Sequence, residues 1–137
     1  THAGLLAGLH GANAGIPLTG ISVRAERAPQ EAKIAGLARD ALALLEGPND
    51  LLNAAAVVRD DQVGPGYSLP TEAMGEAVRL FAREEAILLD PVYTGKTAAG
   101  LVAMVRDGTL KKGERVLFLH TGGSPALHAY PEQVRSA

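Results

Sequence analysis

The chain has 137 residues, 47% of them hydrophobic and 20% charged, with a formal net charge of -2; this suffices for one compact core and offers no basic stripe for nucleic acid. Aromatic residues make up 4%, too few to build stacking platforms along a single strand. No apolar run reaches the roughly 20 residues that span a bilayer, no charged region precedes a cleavable apolar stretch, and the lack of cysteine excludes disulfides and thiolate metal sites. The default expectation is a cytosolic protein that binds neither membrane nor nucleic acid.

The chain opens at Thr1 without an initiator Met and goes directly into helical patterning, as a segment of a longer chain would. Thr1 can cap a helix carrying Leu5, Leu6 and Leu9 and closing near Gly11. Residues 16–23 read as a strand, with Pro17 tolerated at its start. Pro29 suits a first helical turn, and residues 31–45 place Ile34, Leu37, Ala38, Ala41, Leu42 and Leu45 on one stripe before Gly47-Pro48 stops the helix. Residues 54–58 fit a short buried strand or a helix fragment; a strand is expected because residues 60–70 read as loop.

Within that loop, Gly64-Pro65-Gly66-Tyr67-Ser68-Leu69-Pro70 sets two glycines and two prolines around one tyrosine, which by itself is a surface turn with a packing aromatic. Thr71-Glu72 starts a helix with Met74, Ala77, Val78, Leu80 and Phe81 on its apolar face. From Thr94 to Val105 the pattern is helical again, with Leu101, Met104 and Val105 apolar and Asp107-Gly108 at its end. Residues 115–119 read as the last strand, and Ser124 with Pro125 begins a final helix to about Tyr130. Strands alternating with helices predict an α/β fold, a parallel sheet flanked by helices, without an internal repeat or linker.

Most of the polar residues have bland readings. His2, His10, His120 and His128 lack zinc spacing, so no metal is expected. The adjacent pairs Asp60-Asp61 and Glu84-Glu85 read as solvated charge. Lys33, Lys111 and Lys112 read as surface charge, and Lys96 falls in a first helical turn, where it either meets an anion or supports packing. There is no nucleophile elbow and no Walker A motif.

Two stretches stand apart. In Leu88-Leu89-Asp90-Pro91-Val92-Tyr93-Thr94-Gly95-Lys96 and in Val116-Leu117-Phe118-Leu119-His120-Thr121-Gly122-Gly123, an apolar run meets a glycine-containing turn and then a helical pattern. An α/β protein presents side chains and backbone N–H groups to a ligand at such places, and a phosphorylated cofactor suits the glycines and the helix start.

These residues, with Ser124-Pro125-Ala126-Leu127 after them, closely resemble the carboxyl-terminal part of the D-cysteine desulfhydrase and 1-aminocyclopropane-1-carboxylate deaminase family. Its members are pyridoxal-phosphate enzymes with the tryptophan synthase β-subunit fold (fold type II). The resemblance runs over essentially all of residues 1–137, which would then belong to the cofactor-binding large domain, with the amino-terminal part and the small domain lying elsewhere. The Gly64 to Pro70 stretch matches the family's Gly-Tyr-Gly-Leu/Val-Pro loop, with Ser68 where glycine is usual.

The resemblance implies roles residue by residue. Thr1 is similar to the end of the family's Gly-Ser-Gly-Gly-Thr phosphate cradle. Tyr67 and Tyr93 match the two tyrosines that flank substrate and pyridine ring, the expected catalytic pair. Thr121 matches the residue beside the pyridine nitrogen, with Gly122 and Gly123 giving it room. Thr94 stands where the cyclopropane deaminases carry glutamate and the desulfhydrases threonine, which favours β-elimination from D-cysteine to pyruvate, ammonia and hydrogen sulfide. The deaminase and cysteate sulfo-lyase activities are the alternatives within the family, and a non-catalytic α/β binding module is the alternative outside it. The Schiff-base lysine of such enzymes lies in an Asn-Lys context that none of the four lysines shares, so this chain alone is expected to be inactive. The full-length enzyme is expected to be a homodimer acting on a small amino acid.

Overall fold

The computed structural model describes residues 1–135, which fall into two compact units, Thr1–Asp60 and the one that starts at Asp61. The boundary lies at the start of the loop expected there. Among the described residues, no helix is long and apolar enough to cross a membrane.

The first unit is a β-α-β arrangement preceded by a helix. Helix α1 (His2–Gly11) leads to strand β1 (Thr19–Ile21), helix α2 (Arg27–Leu44), a 3₁₀ turn (Asn53–Ala55) and strand β2 (Val57–Arg59). The two strands pair in parallel, with Thr19 opposite Val57 and Ile21 opposite Arg59, so the parallel sheet flanked by helices is present in minimal form. Both strands are shorter than expected. Of residues 16–23 only three pair, and the 54–58 segment begins as a 3₁₀ turn and joins the ladder only at Val57.

Side chains of α2 reach the rest of the ladder. Arg27 Nε donates to Val58 O at 2.7 Å, and Val58 N donates to Glu31 Oε1 at 3.0 Å, so the backbone groups of the strand's central residue are satisfied from the helix. Asp60 is more than solvated charge, because its Oδ2 accepts from Arg27 N at 2.8 Å and caps the start of α2.

The core of this unit is Leu6, Ala7, Ile34, Ala35, Ala38, Leu42, Leu51, Ala56 and Val58. The expected α2 stripe is therefore narrower than its sequence pattern. Ile34, Ala38 and Leu42 are buried with Ala35, whereas Leu37 and Leu45 are exposed, since only one row at four-residue spacing faces α1 and the sheet. The helix stops where Glu46 takes a left-handed φ of 51° and Gly47 N bonds back to Leu42 O at 2.8 Å, the pattern that closes a helix end.

The His2 ring lies against β1. A Cβ on Gly20 would come within 2.1 Å of His2 Nδ1, so that glycine is needed for the contact. Burial pushes the His2 pKa below the usual histidine value.

The second unit is mainly helical. Helices α3 (Glu72–Glu85) and α4 (Thr94–Arg106) pack against each other around Met74, Ala77, Val78, Leu89, Ala98 and Ala99. The described residues end in a 3₁₀ helix (Ser124–Ala129) and α5 (Pro131–Arg135). The face that α4 buries is the one with small residues, Gly95, Ala98, Ala99 and Gly100, while Val105 is exposed. Small side chains let the two helices approach closely. A Cβ on Gly95 would stand 2.8 Å from Val78 Cγ2 and 3.1 Å from Met74 Cγ.

Residues 115–119 form no ladder among the described residues, and Leu117 is 91% exposed. A strand needs a neighbour for its N–H and C=O groups, and the only sheet among these residues is the β1-β2 pair. Phe118 nevertheless fixes the segment, its ring centroid 5.4 Å from that of Phe81. Ser124 is the first residue of the 3₁₀ helix rather than its cap, a place held by Gly123.

Thr71 caps α3 as its sequence position suggests, its hydroxyl accepting from Met74 N at 3.1 Å. Thr71→Ala should lower the unfolding free energy by about 1 kcal/mol, and Thr71→Ser should restore most of it, measured by urea denaturation.

Candidate functional site

Asp90 builds the turn that carries Tyr93 and Thr94. Its side chain is fully buried and accepts four hydrogen bonds: Oδ2 from Val92 N at 2.8 Å and Tyr93 N at 2.7 Å, Oδ1 from Thr94 N and Thr94 Oγ1 at 2.7 Å each. Asp90 N donates to Thr94 Oγ1 at 2.8 Å, and Asp90 O accepts from Gly95 N at 2.7 Å. In effect Asp90 is the cap, with Pro91 next to it, of a turn that runs into α4. Sequence reading missed this role, although Asp-Pro immediately before a helical pattern is a cap signal.

The second glycine-containing stretch meets the first here. Gly123 has φ of 90°, and a Cβ on it would lie 2.8 Å from Asp90 Cγ. Leu88 O accepts from His120 Nε2 at 3.0 Å and from Ser124 Oγ at 3.3 Å. Because a carbonyl can only accept, Nε2 carries the proton in the neutral ring, leaving Nδ1 to accept from Gly122 N at 3.2 Å. The His120-Thr121-Gly122-Gly123 turn is thus tied to the Asp90 turn by side-chain and backbone bonds. Thr121 is exposed, and a Cβ on Gly122 would meet open space.

Tyr93 and Tyr67, 26 residues apart in sequence, have their hydroxyls in hydrogen-bond contact. Their rings meet edge to face at a centroid distance of 6.0 Å. Both are about half exposed, so the pair faces outward with its hydroxyls joined.

Thr94 and Lys96, by contrast, point inward. Thr94 is 1% exposed, and its hydroxyl is engaged on both its donor and acceptor sides by Asp90. Lys96 is fully buried, and its Nζ donates to Val63 O at 2.7 Å and Gly66 O at 3.0 Å. Burial pushes its ammonium below the ordinary lysine range. Of the two readings open for Lys96 in the sequence, support of packing is the one its contacts match. A buried lysine with carbonyl partners leaves no local trace in sequence.

Thr1, in the other unit, occupies the N-cap position of α1 with no capping bond from its side chain, and is exposed. Its carbonyl accepts from Leu5 N at 2.9 Å.

The two glycines of the 122–123 turn should respond differently to a methyl group. Both have left-handed φ values, 93° and 90°, so each alanine carries a conformational cost of roughly 1–2 kcal/mol, but only Gly123→Ala also drives a Cβ into Asp90. Gly123→Ala should therefore be the more destabilising in urea denaturation by about 1 kcal/mol or more; equal effects would mean that the turn does not rest on Asp90.

Residues 1–122 match the family described as "Pyridoxal-phosphate dependent enzyme". The 1-aminocyclopropane-1-carboxylate deaminase of Bradyrhizobium diazoefficiens strain USDA 110 is 37% identical over 130 residues, 95% of this chain and 39% of that protein. That of Ralstonia nicotianae strain GMI1000 is 39% identical over 130 residues, 95% of this chain and 38% of that protein. A crystal structure described as that of an ACC deaminase homologue superposes with a TM-score of 0.85 at 34% identity, covering 98% of this chain and 39% of that one. The chain thus spans about two fifths of the length of the curated relatives it matches, and it belongs to the family of pyridoxal-phosphate dependent enzymes.

Proposed function

We propose that this chain supplies the cofactor-side loops of a pyridoxal-phosphate lyase that cleaves a small amino acid by β-elimination, with D-cysteine the favoured substrate. The observation that carries the reading is the Tyr67–Tyr93 pair, two outward-facing hydroxyls in contact on the two loops that match the family's tyrosines.

The loops of the second unit suit the ring of the cofactor. Thr1, whose side chain makes no capping bond at the start of α1, is assigned to the cofactor phosphate on the resemblance alone. Gly122 opens space beside exposed Thr121, which suits the edge of a flat ring, and Thr121 would offer it a hydroxyl. Gly123 closes that turn onto Asp90, which also holds the Thr94 hydroxyl. The cofactor, when bound, supplies an electron sink for the substrate carbon that loses its proton.

The protein's own part is positioning and proton handling. Tyr93, fixed at its backbone N–H by Asp90, and Tyr67, in contact with it through the hydroxyls, would border the reacting atoms. In the overall reaction the α C–H and the C–S bonds of cysteine break, the sulfur leaves as sulfide, and one water completes pyruvate and ammonia. A hydroxyl rather than a carboxylate at position 121 makes for a weaker electron sink, and Thr94, whose hydroxyl is held by Asp90, adds no acid. Expulsion of a thiolate suits this better than opening a ring that lacks a good leaving group.

A second reading, deamination of 1-aminocyclopropane-1-carboxylate, is favoured by the names of the relatives. On this proposal, and on the resemblance alone, the chain is the carboxyl-terminal part of the large domain. The full-length enzyme is proposed, on the resemblance alone, to be a cytosolic homodimer.

Assays of the full-length protein on D-cysteine, cysteate and the cyclopropane amino acid side by side should give the largest kcat/KM for D-cysteine. A preference for the cyclopropane substrate would overturn the assignment, and no turnover of any of the three would favour a binding module. Tyr93→Phe and Tyr67→Phe should each lower turnover by about 100- to 10,000-fold with little change in stability. Unaltered kinetics in both would return the tyrosines to packing.

A further inference from the structure

The loop that carries Tyr67 has little apolar burial to hold it. Gly64, Pro65, Tyr67 and Leu69 are all exposed, and Ser68 adopts a left-handed φ of 60° that a residue with a Cβ rarely takes unaided. Polar anchors grip it instead. Lys96 Nζ, from inside α4, bonds to Val63 O and Gly66 O, and Tyr130 Oη donates to Ser68 O at 3.1 Å. The carbonyls immediately before and after Tyr67 are therefore both held by side chains from outside the loop.

We propose that Lys96 and Tyr130 are positioning residues for Tyr67: by fixing the carbonyls on either side of it, they aim its hydroxyl at that of Tyr93. The pattern has a chemical logic. An ammonium offers three donors on one atom and can bridge two carbonyls of a tight loop, which an apolar residue of the same length cannot do. Lys96 also lies two residues after Thr94 on the helix whose start is set by Asp90, so one rigid element places Tyr93 directly and Tyr67 through Lys96. Tyr130 closes the other side from the end of the last 3₁₀ helix. The burial that lowers the Lys96 pKa agrees with a lysine enclosed between helix and loop. This inference rests on the proposed roles of Tyr67 and Tyr93 for its effect on catalysis, although its geometric part does not.

The test has two readouts. In the full chain carrying labelled aromatic side chains, nuclear Overhauser cross-peaks between the Tyr67 and Tyr93 rings should be present in the parent and lost or strongly weakened in Lys96→Met and in Tyr130→Phe. The Phe81–Phe118 contact of the same unit should stay and serves as the control for folding. Tyrosine cross-peaks that persist in both variants overturn the proposal. If Lys96→Met loses the phenylalanine contact as well, Tyr130→Phe, which removes a single hydroxyl, decides alone.

In the full-length, cofactor-loaded protein, Lys96→Met should lower kcat by about 100-fold, the effect of misplacing a reacting group by roughly 1 Å, and should cost almost nothing further in a Tyr67→Phe background. An equal loss in both backgrounds would mean that Lys96 does not act through Tyr67, which also overturns the proposal. Should Tyr67→Phe itself leave turnover intact, the functional reading fails while the ring contacts still decide the positioning.

Discussion

A single buried carboxylate organises the second unit. Asp90 accepts hydrogen bonds from three consecutive backbone N–H groups and one hydroxyl, and in doing so it fixes where α4 begins and where Tyr93 leaves the backbone. An ionised oxygen pair that receives four donors is stable inside a protein because the donors replace the water it gives up. The same carboxylate is the surface on which Gly123 rests. Neither glycine-containing turn has a sheet to hang from among the described residues, so their mutual geometry is set by Asp90 and by the bonds that Leu88 O accepts.

From that point the arrangement spreads through α4. Gly95 and the alanines that follow bring α4 against Met74 and Val78, and this close packing buries Lys96 at a depth where its ammonium can reach the carbonyls of the Tyr67 loop. Helix packing, capping and loop placement are therefore parts of one construction: a bulkier residue at position 95 would disturb the Asp90 carbonyl, the helix pair and, through Lys96, the tyrosine loop. Such linkage holds the hydroxyls of Tyr67 and Tyr93 in contact.

The helices were the legible part of the sequence. Thr71 before α3 and the apolar spacing of Ile34, Ala38 and Leu42 are local signals, and they fall where the helices form. Strands were less legible because pairing is not local. Residues 115–119 have the composition of a strand but no ladder here, and residues 54–58 join one only from Val57. On α4 apolar size does not track burial, since Val105 is exposed and close approach of two helices selects the small residues Gly95, Ala98, Ala99 and Gly100. For the candidate site, Tyr67, Tyr93, Thr94, Thr121 and the two glycines were identified by resemblance. Spacing alone gave no reason for two tyrosines 26 residues apart to touch. Asp90 had a readable signal in the Asp-Pro step, and Lys96 had none, since nothing beside it in sequence announces that the loop after β2 will fold over it.

The measurement that bears most directly on this account is the stability and amide exchange of Asp90→Asn. An asparagine keeps the shape but faces part of the donor set with an NH₂ group, leaving buried N–H groups without an acceptor at a cost of about 1–3 kcal/mol each. The account predicts a loss of about 3 kcal/mol or more in unfolding free energy, with exchange sharply faster at Val92, Tyr93 and Thr94 and unchanged in β1 and β2. A variant with near-parental stability and slow exchange at those three amides would contradict it.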